Sequence, residues 1–208
     1  MSAKNLAIAS LVVIFLLLSG CSSPVRQPKY YTMSLAPKLD PPAPASPHPV
    51  TIAVRRFETA PYLRQGGIAY RERSDEVDFY QYHRWATEPG VAVSRAIVDS
   101  LRASGRFADV HPYDTHGRAD YLLIGNVERL DELDFGSELQ VAAALSAELI
   151  DLRTGQVVWS GKASQTLKVE HRDVYSVVEG LSNAVEADLN QVLPNLEQQF
   201  PRLTAAVR

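Results

Sequence analysis

The chain contains a single cysteine, Cys21, which closes a long apolar stretch near the N-terminus. A disulfide needs two cysteines, so this residue cannot cross-link the chain within itself. The 208 residues are 46% hydrophobic and 22% charged, which provides enough apolar side chains for a packed core and excludes disorder of the whole chain. We therefore expect a fold that is stabilised by packing and hydrogen bonding alone.

Residues 1–20 are predicted to be an export signal. Lys4 supplies a positive charge, and 6–18 is a 13-residue stretch interrupted only by Ser10. A membrane-spanning helix needs about 20 apolar residues, so this run favours a cleaved signal peptide over an uncleaved anchor helix.

The end of this segment, Leu18-Ser19-Gly20-Cys21, resembles the bacterial lipobox. The resemblance implies cleavage between Gly20 and Cys21, an S-diacylglycerol on the Cys21 sulfur and an N-acyl group on its new amino group. We expect no other cofactor. Two or more acyl chains hold a protein firmly on a bilayer. Serine rather than aspartate follows the cysteine, which points to the outer membrane.

Composition and motifs argue against two broad functional classes. The formal net charge of -3 gives no basic field for nucleic acid. The sequence also contains no Gly-x-Ser-x-Gly elbow, no phosphate-binding loop and no His-Glu-x-x-His zinc motif. The only thiol is the predicted lipid site. We therefore predict a protein that is not an enzyme.

After the leader, we expect a lipidated cysteine and tether at 21–29, one domain at 30–200 and a C-terminal tail at 201–208. Eight tether residues span at most about 26 Å, so the domain would lie close to its membrane. Strands are predicted at 30–35, 50–57, 68–73, 77–83, 107–110, 121–130, 139–152 and 157–169. A proline-rich loop is predicted at 36–49.

Two helices are predicted, one between Thr87 and Gly105 and one at 173–193, where Pro194 would kink or end it. Residues 139–152 favour a helix by propensity, but their apolar residues alternate with period two, so we predict a strand. The fold class is α+β, with a mostly antiparallel sheet and two amphipathic helices on one face of a single domain.

Arginines are frequent around the predicted hairpin at 64–84. Arg64, Arg71, Arg73 and Arg84 are candidates for binding an acidic partner surface or lipid headgroups, and salt-bridged strand faces are the alternative. His111, Asp114 and His116 could hold a metal ion, but these residue types are also common in turns, so no metal site is predicted. Glu72, Asp75, Glu76 and Asp78 are predicted to be a hydrated hairpin tip.

Several short motifs occur in an order that resembles the ABC-type transport auxiliary lipoprotein family. They are the lipobox, Tyr30-Tyr31-x-x-x-Leu35, Ala60-Pro61-Tyr62-Leu63, Arg84-Trp85-Ala86-x-x-Pro89, Leu101-x-x-x-Gly105-x-Phe107-x-x-Val110, Ala119-Asp120-Tyr121-Leu122-Leu123-x-Gly125 and Leu149-x-Asp151-x-x-Thr154-Gly155-x-Val157-Val158-Trp159.

The resemblance implies a lipoprotein that is not an enzyme, anchored in the outer membrane and facing the periplasm. It would work with an ABC transporter and an MCE-domain protein that carry lipids between two membranes. From the residues themselves, we expect the arginine hairpin at 64–84 and the polar face of the last helix to contact the periplasmic partner. Self-association and lipid binding by the domain stay open. The alternatives are an assembly lipoprotein for surface polysaccharide or another envelope machine and, less favoured, a periplasmic hydrolase using His111 or the carboxylates near Asp75.

Overall fold

The computed structural model describes residues 26–37, 48–114 and 117–205, so Gly20, Cys21 and most of the proline-rich loop lie outside the described residues. The strands are β1 (Lys29–Tyr31), β2 (His48–Val54), β3 (Glu58–Thr59), β4 (Gly67–Arg71), β5 (Asp78–Trp85), β6 (Phe107–Pro112), β7 (Tyr121–Leu133), β8 (Gln140–Asp151) and β9 (Gln156–Lys168). The helices are α1 (Pro89–Ala103) and α2 (Val174–Ala205), and a short 3-10 helix spans Pro61–Gln65.

The long strand β7 lies at the centre of the sheet. One of its edges pairs along its whole length with β8, in antiparallel orientation. The other edge is shared by three strands in succession, β2, β3 and β4, which all run parallel to β7. The chain from β2 to β4 therefore advances along β7, and β6, β5 and β1 extend the sheet from there.

The alternating segment near residue 145 forms strand β8, as predicted. Its period-two side chains are buried in the core: Val141, Ala143, Leu145, Ala147 and Leu149. β8 pairs antiparallel with both β7 and β9, so the predicted hairpin between β8 and β9 is confirmed. Strand pairing on both edges and burial of one face outweigh the helix propensity of alanine, leucine and glutamate.

The predicted α+β class is confirmed, but the sheet is mixed rather than mostly antiparallel. The parallel pairs of β7 with β2, β3 and β4 were not expected, because neither β3 nor the 3-10 helix was predicted from the sequence. The first strand is also shorter than predicted. It ends at Tyr31, and the side chains of Met33 and Leu35 then pack against the core without strand pairing.

Helix α1 is held against the strands by a close backbone approach. The Phe57 N–H donates to Ser94 Oγ at 2.7 Å, and the Gly90 N–H donates to Thr59 Oγ1 at 3.1 Å. A Cβ atom at Gly90 would lie 2.1 Å from the Phe57 carbonyl oxygen, so only glycine allows this contact. α1 contacts β2, β3, β6 and β7, whereas α2 contacts β7, β8, β9 and α1.

Helix α2 continues through Pro194 to Ala205, beyond the predicted end. Its buried face contains Asp188, an acidic residue whose side chain is fully buried. Neither carboxylate oxygen of Asp188 has a hydrogen-bond partner among the described residues. Burial raises the pKa of Asp188 to about 7, because the charged form is poorly solvated in the core.

This buried carboxyl group predicts a pH-dependent stability. An unfolded aspartate loses its proton near pH 4, whereas folded Asp188 keeps it up to about pH 7. The free energy of unfolding should therefore fall between these pH values, by on the order of 2–4 kcal/mol, and stay low above them. Urea denaturation at pH 4.5 and pH 8 should show that Asp188→Asn loses this component. Glu179→Gln, at an exposed position of the same helix, should retain it; equal pH dependence in all three proteins would contradict the prediction.

Candidate functional site

The predicted arginine hairpin is formed by β4 and β5, which pair in antiparallel orientation. It is preceded by the 3-10 helix, which ends at Gly66 with a φ of 77°. This left-handed conformation favours glycine and turns the chain into β4. The Trp85 N–H donates to the Gly66 carbonyl at 2.8 Å, which closes the base of the hairpin.

A buried carboxylate attaches the hairpin to β7. Asp131 is fully buried, and it accepts hydrogen bonds from Tyr62 Oη at 2.6 Å, Arg71 Nε at 2.7 Å and Arg129 Nε at 3.0 Å. Two guanidinium groups and a hydroxyl thus replace the water that the charge would otherwise need. Burial, with the hydrogen bond to Asp131, raises the pKa of the Tyr62 hydroxyl.

The next residue, Glu132, is also buried and accepts a hydrogen bond from Tyr80 Oη of β5 at 2.8 Å. Burial raises the pKa of Glu132 and also that of Tyr80. Neighbouring residues of a strand point to opposite faces. Asp131 and Glu132 therefore bond the hairpin region from both faces of β7, and sequence analysis identified neither residue.

The four candidate arginines fall into different environments. Arg71 is bonded to Asp131 and is only 19% exposed, so it is a structural residue of the hairpin. Arg73 lies at the exposed tip, 3.7 Å from Asp75. Arg64 and Arg84 are exposed near the base, where Arg84 Nη1 donates to the Gln65 carbonyl at 3.2 Å.

The acidic residues of the hairpin tip are exposed, as predicted: Glu72, Asp75, Glu76 and Asp78. The other cluster considered from the sequence is only partly described. His111 is buried, with its Nδ1 3.0 Å from the Pro112 carbonyl, and Asp114 is exposed, whereas His116 lies outside the described residues. Within residues 26–37, 48–114 and 117–205, no group of three histidine, cysteine or carboxylate side chains could hold a metal ion.

A groove of about 540 Å³ lies over β7, β8 and β9. It contains side chains of both charge signs: Arg55, Arg56, Glu58, Glu148 and Lys162. Arg56 forms an ion pair with Glu88, and the Arg55 guanidinium lies 4.9 Å from the centre of the Tyr113 ring. Such mixed charge fits a polar segment better than an acyl chain. The three strands were predicted from the sequence, but the position of the two arginines beside them was not.

Comparison with known proteins identifies relatives of this fold. A family model described as the ABC-type transport auxiliary lipoprotein component matches residues 31–192. No curated protein matches the chain significantly. Within the described residues, no helix is both long enough and apolar enough to cross a bilayer.

Two solved structures share the fold at low sequence identity. Protein XCC0632 from Xanthomonas campestris, of the DUF330 family, has a TM-score of 0.70 and 19% identity, covering 86% of this chain and 99% of its own. The hypothetical protein CT253 from Chlamydia trachomatis has a TM-score of 0.51 and 7% identity, covering 74% of this chain and 98% of its own. At these identities, the similarity establishes the fold alone.

The role of Arg71 in the hairpin predicts a difference between two arginines that are two residues apart. Arg71→Ala should lower the free energy of unfolding by about 2–4 kcal/mol, because it removes one partner of a fully buried carboxylate. Arg73→Ala, at the exposed tip, should change it by less than about 0.5 kcal/mol. Urea denaturation measures both values, and equal effects would show that Arg71 does not attach the hairpin.

Proposed function

The chain belongs to the ABC-type transport auxiliary lipoprotein family, and from this membership we propose that it is the outer-membrane component of a system that carries lipids between two membranes. Acylated Cys21 holds it on the periplasmic side of the outer membrane. Its domain docks the periplasmic end of an MCE-domain protein that works with an ABC transporter. The family match over residues 31–192 is the observation that carries this proposal.

The proposed role is structural rather than catalytic. The family is described as an auxiliary component of transport, which supports a docking function. The residues considered for a hydrolase do not converge in the structure. Asp75 is exposed at the hairpin tip beside Arg73, whereas His111 is buried in β6 and bonded to its own strand.

The base of the hairpin is the proposed docking surface, because Arg64 and Arg84 present positive charge there on a rigid support, whereas the acidic residues lie at the tip. Asp131 and Glu132 hold its two strands and the 3-10 helix against β7. Arg64 and Arg84 are therefore exposed at a defined position. Arg73 contributes less, because it lies beside Asp75 at the acidic tip. A partner with an acidic surface would bind here, because complementary charge fixes orientation and speeds association.

The proposed anchor predicts a change of location for Cys21→Ser. Without the thiol, no thioether can form, and the acyl chains that hold the protein on the membrane are lost. The variant should move from the membrane fraction to the soluble periplasmic fraction, and mass spectrometry should show acylation only in the wild type. A wild-type protein with a free sulfhydryl would contradict the anchor.

The proposed docking surface predicts that charge reversal at the hairpin weakens partner binding. Pulldown of the full-length protein from detergent-solubilised envelopes should recover MCE-domain and ABC components. The double variant Arg64→Glu with Arg84→Glu should bind these components with an affinity about tenfold lower, because like charges would then face each other.

Arg153→Glu is the matched control for this experiment, since Arg153 is 72% exposed but lies in the turn between β8 and β9. It should bind partners as the wild type does. Recovery of no MCE or ABC component by the wild type would contradict the proposed function. Equal loss of binding in the control would contradict the hairpin as the docking surface.

A further inference from the structure

Three large aromatic side chains are exposed near the N-terminal end of α2. Tyr175 lies in the first turn of this helix and is 65% exposed. Phe135, in the turn between β7 and β8, is 51% exposed, and Tyr30, in the edge strand β1, is 62% exposed. We call Tyr30, Phe135 and Tyr175 the aromatic end of the domain; Tyr30 borders it from the other face of β1, because Tyr31 is the residue that faces Tyr175.

Specific contacts bring these residues to one end. Arg172, just before α2, bonds the turn that contains Phe135: its Nη1 lies 2.8 Å from both carboxylate oxygens of Asp134, and its Nη2 lies 2.7 Å from the Gly136 carbonyl. β1 reaches the same place, because the Tyr31 and Tyr175 rings are in edge contact with centres 5.5 Å apart.

The chain direction shows that residues 26–30 pass this end of the domain. Tyr31 contacts Tyr175, and the Ala36 N–H donates to Glu186 Oε2 at 3.3 Å. Eleven helical residues rise about 16 Å, which five extended residues also span, so the chain after Tyr31 runs along α2 away from its N-terminus. Residues 26–30 therefore lead outward past the aromatic end, and all five are exposed.

Three acidic groups near the aromatic end have partners. Asp134 is paired with Arg172, and Glu138 is paired with Lys168. Asp173 accepts hydrogen bonds from the backbone N–H groups of Tyr175 and Ser176 in the first turn of α2. The Lys29 ammonium lies 5.8 Å from the centre of the Tyr175 ring, which adds a positive group beside the aromatic surface. The acidic hairpin tip adjoins the same turn, because the Asp134 N–H donates to the Arg71 carbonyl at 2.8 Å. The bilayer contact is therefore assigned to the aromatic side chains and Lys29, and not to the tip.

We propose that Tyr30, Phe135 and Tyr175 are the membrane-contacting surface of the domain and insert into the headgroup region of the bilayer that holds the Cys21 lipid. This inference rests on the proposed acylation of Cys21, which lies eight residues before Lys29, within about 26 Å of chain. Tyrosine is enriched where bilayers meet water, because its ring is apolar and its hydroxyl is polar. The covalent anchor and these rings together fix the orientation of the domain on the membrane.

Tryptophan probes in the lipidated, full-length protein test this surface. Tyr30→Trp, Phe135→Trp and Tyr175→Trp would each be reconstituted into phosphatidylcholine vesicles with and without brominated acyl chains, which quench tryptophan on contact. The controls are Tyr113→Trp and Leu152→Trp, at positions that are 50% and 43% exposed. Leu152 directly follows β8, whose length of about 35 Å separates it from the turn that contains Phe135. The native Trp85 and Trp159 are buried and give the same background in every variant.

We expect bromine to reduce the emission of the three aromatic-end probes and to leave the two control probes unchanged. Flotation of the vesicles and the mass of the N-terminal peptide report the anchor separately. Acylated protein that floats but shows no quenching at the aromatic end would overturn this inference and leave the proposed function intact. The inference would also be wrong if a protein partner shielded the three probes from solvent while brominated lipid did not quench them. Protein without acyl chains would contradict both proposals.

Discussion

Strand β7 pairs with four other strands, and the rest of the structure depends on this constraint. One edge of this strand serves three short parallel strands in turn, in registers that place Ile52 beside Tyr121, Thr59 beside Val127 and Ala69 beside Asp131. A slip of one residue in any of these pairs would exchange the inner and outer faces of the strand. The long antiparallel pairing of β7 with β8 opposes such slips, and the position of the hairpin at the end of β7 follows from it.

Two buried acids then convert this position into a rigid attachment. Asp131 and Glu132 would be unfavourable in the core without partners, since each loses its hydration there. Their partners come from the hairpin region: Tyr62, Arg71 and Tyr80. The same cluster therefore stabilises the domain and holds the exposed arginines at a defined position. A hairpin attached only by exposed ion pairs would be far more mobile, because such pairs contribute little.

Elements defined by local patterns could be predicted from the sequence, and features that depend on distant pairing could not. The alternation in β8 and the helical spacing in α2 depend on each segment alone. Parallel pairing depends on which strands meet, so the mixed sheet was not predictable. Arg71 and Arg73 have similar neighbours in sequence, yet only the Arg71 side chain reaches Asp131. The strand was predicted to end at Leu130, because the charged residues Asp131 and Glu132 follow. In the structure, β7 continues to Leu133, so both acids belong to the strand.

The proposed docking surface and the aromatic end adjoin each other in the structure. Tyr30 pairs in register with Arg84, and both side chains are exposed on the same face of the sheet edge. Under the two proposals, a partner bound at Arg84 would therefore be held directly beside the bilayer. This proximity matters for lipid transfer, since each methylene group exposed to water costs about 0.8 kcal/mol. The protein would then act by shortening the aqueous gap that a lipid must cross between its partner and the membrane.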